Sequence, residues 1–330
     1  MKKTAILLFS IVAILLLTSA RKAATTIFII GDSTAANKDI SGEKQERGWG
    51  MVLQGFFSED IRIDNHAVNG RSSKSFIAEG RWKKVLERIK PGDYVFIQFG
   101  HNDEKPQPER HTDPGSTYDA NLKLFINQTI EKGGIPVLFT PVVRRNFYLV
   151  PDTQDDDELL RNTTYLGEKV NSDTRVDTHG AYLQSVKNVA NETGCLFIDA
   201  NKITYEIEQG LGVEGSRRLH MWFRPGEHHS LPKGRQDNTH YNVYGAHVVA
   251  SAIADAVSET IPALKKYVRH YDYIVAANGT GNYMTPEEAI TAAPVNAKTK
   301  ILILNGIYAK PTIPQNKKIK FYFFDGAKFQ

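Results

Sequence analysis

Thr26-Ile-Phe-Ile-Ile-Gly-Asp-Ser-Thr34 decides how the chain reads, because an apolar strand runs straight into a Gly-Asp-Ser turn. The β-formers Ile27 to Ile30 make a continuous run, the pattern of a strand buried on both faces. Such strands belong mostly to parallel sheets covered by helices. Open α/β sheets bind their ligands outside the carboxyl ends of the strands, so Ser33 stands where a nucleophile would. Alone, Gly-Asp-Ser also fits a turn or a helix cap. Its partners elsewhere must decide.

Of 330 residues, 41% are hydrophobic and 24% charged, which suits a folded chain of about two domains and excludes a collagen-like or disordered one. Met1-Lys-Lys, the apolar run Ala5 to Leu17 and Thr18-Ser-Ala20 have the three parts of a secretory signal peptide, residues 1–20. The run is shorter than the roughly 20 residues a membrane-spanning helix needs. The mature chain is therefore expected to begin near Arg21, exported to the periplasm or beyond, with no other membrane association. Cys195 is the only cysteine, so no internal disulfide can form, and it reads as a buried strand residue. A net charge of +4 is too small to indicate nucleic acid and is compatible with an acidic substrate.

Beyond Ser33, the residues Trp49, Val52, Leu53, Phe56 and Phe57 fall at helical spacing. Strands are predicted over 61–68, 93–99, 135–140 and 195–199, with helices over 81–89, 118–132, 180–192, 201–209 and 242–259. The alternation predicts one α/β domain with a five-stranded parallel sheet. Residues 142–178 are polar and aperiodic and read as a surface excursion. Gly210-Leu-Gly-Val-Glu-Gly215 matches a dinucleotide fingerprint by letter only, since a helix precedes it where a strand is required.

Ser33, Gly70 and Asn102 each follow the carboxyl end of one of the first three strands. In a doubly wound sheet ordered 2-1-3 those ends lie side by side. Acyl transfer needs a hydroxyl to attack, a base for its proton and donors for the oxyanion. Ser33 supplies the hydroxyl, and the N–H groups of Ser33 and Gly70 with the Asn102 amide supply the donors. Asp237-Asn-Thr-His240, just before the last helix, supplies the base and its orienting carboxylate.

Gly31-Asp-Ser33, Gly70, Gly100-His-Asn102 and Asp237-Asn-Thr-His240, in this order, resemble the four blocks of the SGNH (GDSL) hydrolase family. The flanks Gly48-Trp-Gly50, Asn69-Gly-Arg-Ser-Ser-Lys-Ser-Phe76, Ile97-Gln-Phe-Gly-His-Asn-Asp103 and Thr140-Pro-Val-Val-Arg-Arg145 resemble its rhamnogalacturonan acetylesterase branch. The likeness spans roughly Thr26 to Glu259, within a domain expected over 21–265. It implies a three-layer α/β/α, flavodoxin-like fold and removal of O-acetyl groups from acetylated pectic polysaccharide, with no metal and no cofactor. For a galacturonate-rich polymer, Arg71 beside the oxyanion glycine is the first candidate for a substrate carboxylate, followed by Lys74, Arg81, Arg144 and Arg145. His220, His228, His229, His240 and His247 lie within one stretch but lack metal-ligand spacing.

From about residue 266 the style changes. Asn278-Gly-Thr-Gly281, Glu287-Glu-Ala-Ile290, Asn305-Gly-Ile-Tyr308 and Ile313-Pro314 resemble the opening of a pectin methylesterase, a right-handed parallel β-helix. Residues 266–330 are thus expected to form an incomplete, inactive β-rich fragment. The alternatives to a pectin acetylesterase are an esterase for another acylated sugar or a lipid ester, and a pectin-binding protein without turnover.

Overall fold

The structure, a computed structural model, describes residues 24–149 and 170–330, so the expected leader and residues 150–169 of the acidic excursion lie outside it. Strand β1 (Thr25–Gly31) buries Ile27 and Ile29 in one core and Phe28 and Ile30 in another, which is why its apolar run does not alternate. Next come β2 (Glu46–Arg47), α1 (Trp49–Val52) with a 3-10 continuation Leu53–Phe56, β3 (Ile61–Asn65), α2 (Ser73–Ala78) and α3 (Arg81–Leu86). They are followed by β4 (Tyr94–Gln98), α4 (Thr117–Glu131), β5 (Ile135–Phe139), α5 (Ala181–Thr193) and β6 (Leu196–Ile198). Helix α6 (Ala200–Ser216), β7 (Tyr241–Asn242), α7 (Val243–Thr260) and α8 (Pro262–Lys265) complete this part.

The main sheet runs β3-β1-β4-β5-β6, every pairing parallel. It is the five-stranded α/β/α arrangement expected, with β1 between β3 and β4. One face is covered by α1, α6 and α7, the other by α2 to α5. Among the described residues no helix is long and apolar enough to cross a membrane.

Four local readings change. The turn after β3 passes at once into α2, because Ser72 and Ser75 form a reciprocal capping box. Helix α6 runs on to Ser216 as two helical pieces that meet at Gly212, whose φ of 66° is not helical, so the glycine-rich stretch follows a helix and not the strand a phosphate loop requires. Cys195 is half-buried just ahead of β6, not inside it, and burial pushes its thiol up. The start of the excursion belongs to the interior, with Val142, Val143, Arg145 and Phe147 all buried.

The C-terminal part holds β8 (Tyr273–Val275), α9 (Pro286–Ala292), β9 (Lys298–Ile303), β10 (Ile307–Tyr308), β11 (Lys318–Phe323) and β12 (Lys328–Phe329). All of its ladders, β8 with β9, β9 with β11 and β10 with β12, are parallel, the pairing a parallel β-helix uses. Val275, Ile290, Ile301 and Ile303 form a small core of their own, while Ile274, Ala276, Leu302 and Leu304 join the main core beside α1 and α7. Ile274 is 1% exposed, so truncating it opens a cavity in the shared core. Ile274→Ala is expected to cost about 2–5 kcal/mol of stability in denaturant unfolding. A loss below about 1 kcal/mol would show that the tail packs too loosely to matter.

Candidate active site

The site is built from the ends of β1, β3 and β4 and the loop before β7. A Cβ on Gly31 would lie 2.6 Å from the Gln98 carbonyl oxygen, so glycine is needed for β1 to pair with β4 up to the turn. Asp32 then folds the turn: its Oδ1 accepts the Thr34 N–H at 2.9 Å and the Thr34 hydroxyl at 2.7 Å. Burial pushes the Asp32 carboxyl up against these bonds. Gln98 fixes the far side, taking the Trp49 indole N–H at 2.7 Å and donating to Thr34 Oγ1 at 3.0 Å. Trp49 is therefore core.

Ser33 Oγ lies 2.8 Å from His240 Nε2, across 207 residues of chain. His240 Nδ1 lies 3.1 Å from both Asp237 oxygens, and Asp237 Oδ1 also accepts the backbone N–H groups of Thr239 at 3.1 Å and His240 at 2.9 Å. A carboxylate on Nδ1 puts the ring proton there and leaves the Nε2 lone pair for the Ser33 hydroxyl. Burial alone would raise the Asp237 carboxyl. The charge and hydrogen bond of His240, with the Arg235 guanidinium, hold it well below the usual carboxylate range. The loop is braced where the Asn238 carbonyl takes the Arg145 N–H at 2.8 Å and Asn238 Oδ1 takes the Trp222 indole at 2.9 Å.

Gly70 has φ 73°, a left-handed turn, with open space where a Cβ would stand. Glycine is needed there for its backbone conformation rather than for a close approach. The neighbouring turn places the Asn102 amide 3.3 Å from the Arg71 carbonyl. Asp103 clamps the two turns together: its carboxylate accepts the Ser73 N–H at 3.1 Å, the Ser73 hydroxyl at 2.5 Å and the Thr112 hydroxyl at 2.9 Å.

The sequence pattern of the GDSL-like Lipase/Acylhydrolase family matches residues 29–248. The chain belongs to that family. The rhamnogalacturonan acetylesterase RhgT of Bacillus subtilis (strain 168) is 37% identical over 77% of this chain and 95% of its own length. The rhamnogalacturonan acetylesterase of Emericella nidulans is 28% identical over 76% of this chain and 91% of its own. Among solved structures, protein YxiM from Bacillus subtilis superposes with a TM-score of 0.54 at 24% identity, over 72% of this chain and 56% of that one, a likeness of fold. This GDSL hydrolase is a carboxylic ester hydrolase.

Its cations are mostly engaged. Arg71, 34% exposed, donates to both oxygens of Glu79 at 3.1 Å and to the Asn69 carbonyl at 2.9 Å. Arg81 pairs with the same Glu79, and Lys74 donates to the Pro108 carbonyl. Arg145 is 1% exposed, between Phe147 and Trp222, and cannot meet a polymer. Of the clustered histidines, His220 pairs with Glu208 and His228 stacks on His229, well apart from His240 in role. His101, Glu104 and His179 offer ligand atoms within 4.8 Å of one another. Arg144 and His179 already hold the two Glu104 oxygens. With both Glu104 oxygens engaged and the Arg144 cation already neutralising that carboxylate, the three side chains form an ion-paired cluster.

Sequence reading missed Asp32, Asp103 and Arg235. Arg235 had a signal: it lies two residues before Asp237, and alternate residues of an extended segment share a face. A carboxyl held low in the fold adds stability that is present above its ordinary pKa of about 3.9 and is lost as pH falls below it. Asp237→Asn should therefore reduce stability at neutral pH, and its gap to the parent should narrow below about pH 4. Ester turnover should fall about 10⁴-fold. A stability gap that stays constant with pH, or unchanged turnover, would contradict the geometry described.

Proposed function

We propose that this hydrolase is an exported acetylesterase that removes O-acetyl groups from rhamnogalacturonan through an acetyl-Ser33 intermediate. The observation that carries the reading is the unbroken series from Ser33 Oγ to His240 Nε2 at 2.8 Å and from His240 Nδ1 to Asp237 at 3.1 Å. The substrate class rests on the relatives named rhamnogalacturonan acetylesterase.

Ser33 Oγ attacks the acetyl carbonyl carbon while His240 Nε2 takes its proton. Asp237 stabilises the imidazolium that forms. The tetrahedral oxyanion meets the N–H groups of Ser33 and Gly70 and the amide of Asn102, donors from three adjacent turns. His240 returns the proton to the sugar oxygen as the C–O bond breaks, leaving acetyl-Ser33. Water, deprotonated by His240 Nε2, then attacks the acetyl carbon, and His240 passes that proton to Ser33 Oγ as the acyl C–Oγ bond breaks and acetate leaves.

Arg71 supports recognition of a neighbouring galacturonate, since its partly exposed guanidinium adjoins the Gly70 turn. Export rests on the leader-like residues 1–20. The tail that resembles a pectin methylesterase favours the same polymer.

Acetate release from acetylated rhamnogalacturonan, acetylated xylan and an aryl acetate tests the reading. Rhamnogalacturonan should be the best polymer, and Ser33→Ala should reduce release to background. Asn102→Ala should lower kcat by about 10²–10³, the usual effect of losing one oxyanion donor. Release that survives Ser33→Ala would overturn the mechanism, and a preference for xylan would overturn the substrate.

A further inference from the structure

We infer that Lys38, Glu46 and Arg235 form a partly buried ionic row that holds Asp237 and the Asn69–Gly70 turn in register, which makes all three positioning residues for the Ser33 reaction. The inference rests on the reading of Ser33, His240 and Asp237 as the reacting groups.

The relay is continuous. Arg235 Nη2 donates to Asp237 Oδ2 at 2.7 Å and to Glu46 Oε2 at 2.9 Å. Lys38 Nζ lies 2.8 Å from Glu46 Oε1 and donates to Asn69 Oδ1 at 2.7 Å. The charges alternate, and the Asn69 side chain ends the row one residue before Gly70, the proposed oxyanion donor.

Its members come from the segments that must agree for reaction. Lys38 lies on the chain leaving the Ser33 turn. Glu46 is on β2, whose Arg47 pairs with Tyr241, the residue after His240. Arg235 bridges to Phe223 and stands two residues before Asp237. The row therefore ties the nucleophile segment, the oxyanion turn and the base loop to one another.

Stability alone does not explain it. The side chains of Lys38 and Asp237 are only 4% and 0% exposed, those of Glu46 and Arg235 20% and 22%. A buried ion pair is often no more stable than well-packed apolar side chains of similar volume. What such a row fixes is geometry, and a displacement of about 1 Å at a reacting group can cost 10²-fold in rate. Against the upward push of burial, His240, Lys38 and Arg235 hold the Glu46 carboxyl at about 2, so it stays ionised through the neutral range.

In this row Lys38 and Arg235 are joined through Glu46, which makes a double-mutant cycle decisive. In the full chain, with an aryl acetate as substrate, Lys38→Met and Arg235→Met should each lower kcat by about 10- to 100-fold, with KM changed less than about twofold. The double variant should lose little more than the worse single one, and Lys38→Arg should recover most of the rate. Glu46→Gln, which keeps size and hydrogen-bonding capacity, should match the double variant and provides the readout should a Met variant fail to fold. Multiplying losses, a change confined to KM, or a lower unfolding midpoint with normal kcat would overturn the relay. A parent protein inactive on every ester would instead sink the hydrolase mechanism, so the two failures are separable.

Discussion

The hydrogen bond between Ser33 Oγ and His240 Nε2, 2.8 Å long and 207 residues apart in sequence, is the contact on which the rest of the architecture converges. A hydroxyl and an imidazole on separate loops meet at that distance only if both loops are fixed. The sheet fixes one end, since β1 is paired on both sides up to Gly31, where the Gln98 carbonyl leaves no room for a side chain. Buried polar groups fix the other. Arg145 and Trp222 hold Asn238, and the ladder between β2 and β7 begins at the residue after His240.

Much of the scaffold around this contact is polar and buried, which an apolar core of the same size would not require. Asp32, Gln98, Asp103 and Asp237 are all almost fully buried, and each accepts from a turn or helix start adjoining the site. A buried acceptor left without its donor costs about 1–3 kcal/mol. These groups therefore penalise any arrangement of the turns other than the one observed. The apolar cores set how the sheet and helices stack, and the polar groups set where the loop ends point.

Legibility from sequence follows the same division. The central strands could be read because a doubly covered strand writes an unbroken apolar run, and β3 by its alternation, while the order 2-1-3 of the first three came from the doubly wound arrangement and not from any local pattern. The residues at the site were readable where a turn type or a short spacing carries the chemistry, as for Gly70 and for Asp237 with His240. Long-range contacts leave no local trace. Arg145 reads as a surface cation until Ser216 Oγ and the Val213 carbonyl, some 70 residues on, are seen to satisfy it. The helical turns on either side of Gly212 were equally hidden, since glycine is a poor helix former and Gly212 itself leaves helical geometry at φ 66°.

The C-terminal part shows how a second pattern is absorbed by the first. Its parallel strands keep a small core of their own, yet their other face completes the core of the hydrolase, and Arg47, beside Glu46, donates to the Gly279 carbonyl at 2.8 Å. In the proposed mechanism Ser33 Oγ is the nucleophile that carries the acyl group. Peptide mapping by mass spectrometry after rapid acid quench of the protein with an aryl acetate tests it most directly. An acetyl group confined to the Ser33 peptide is predicted. Acetylation of a different residue, or turnover with no acetyl-protein at any quench time, would contradict it.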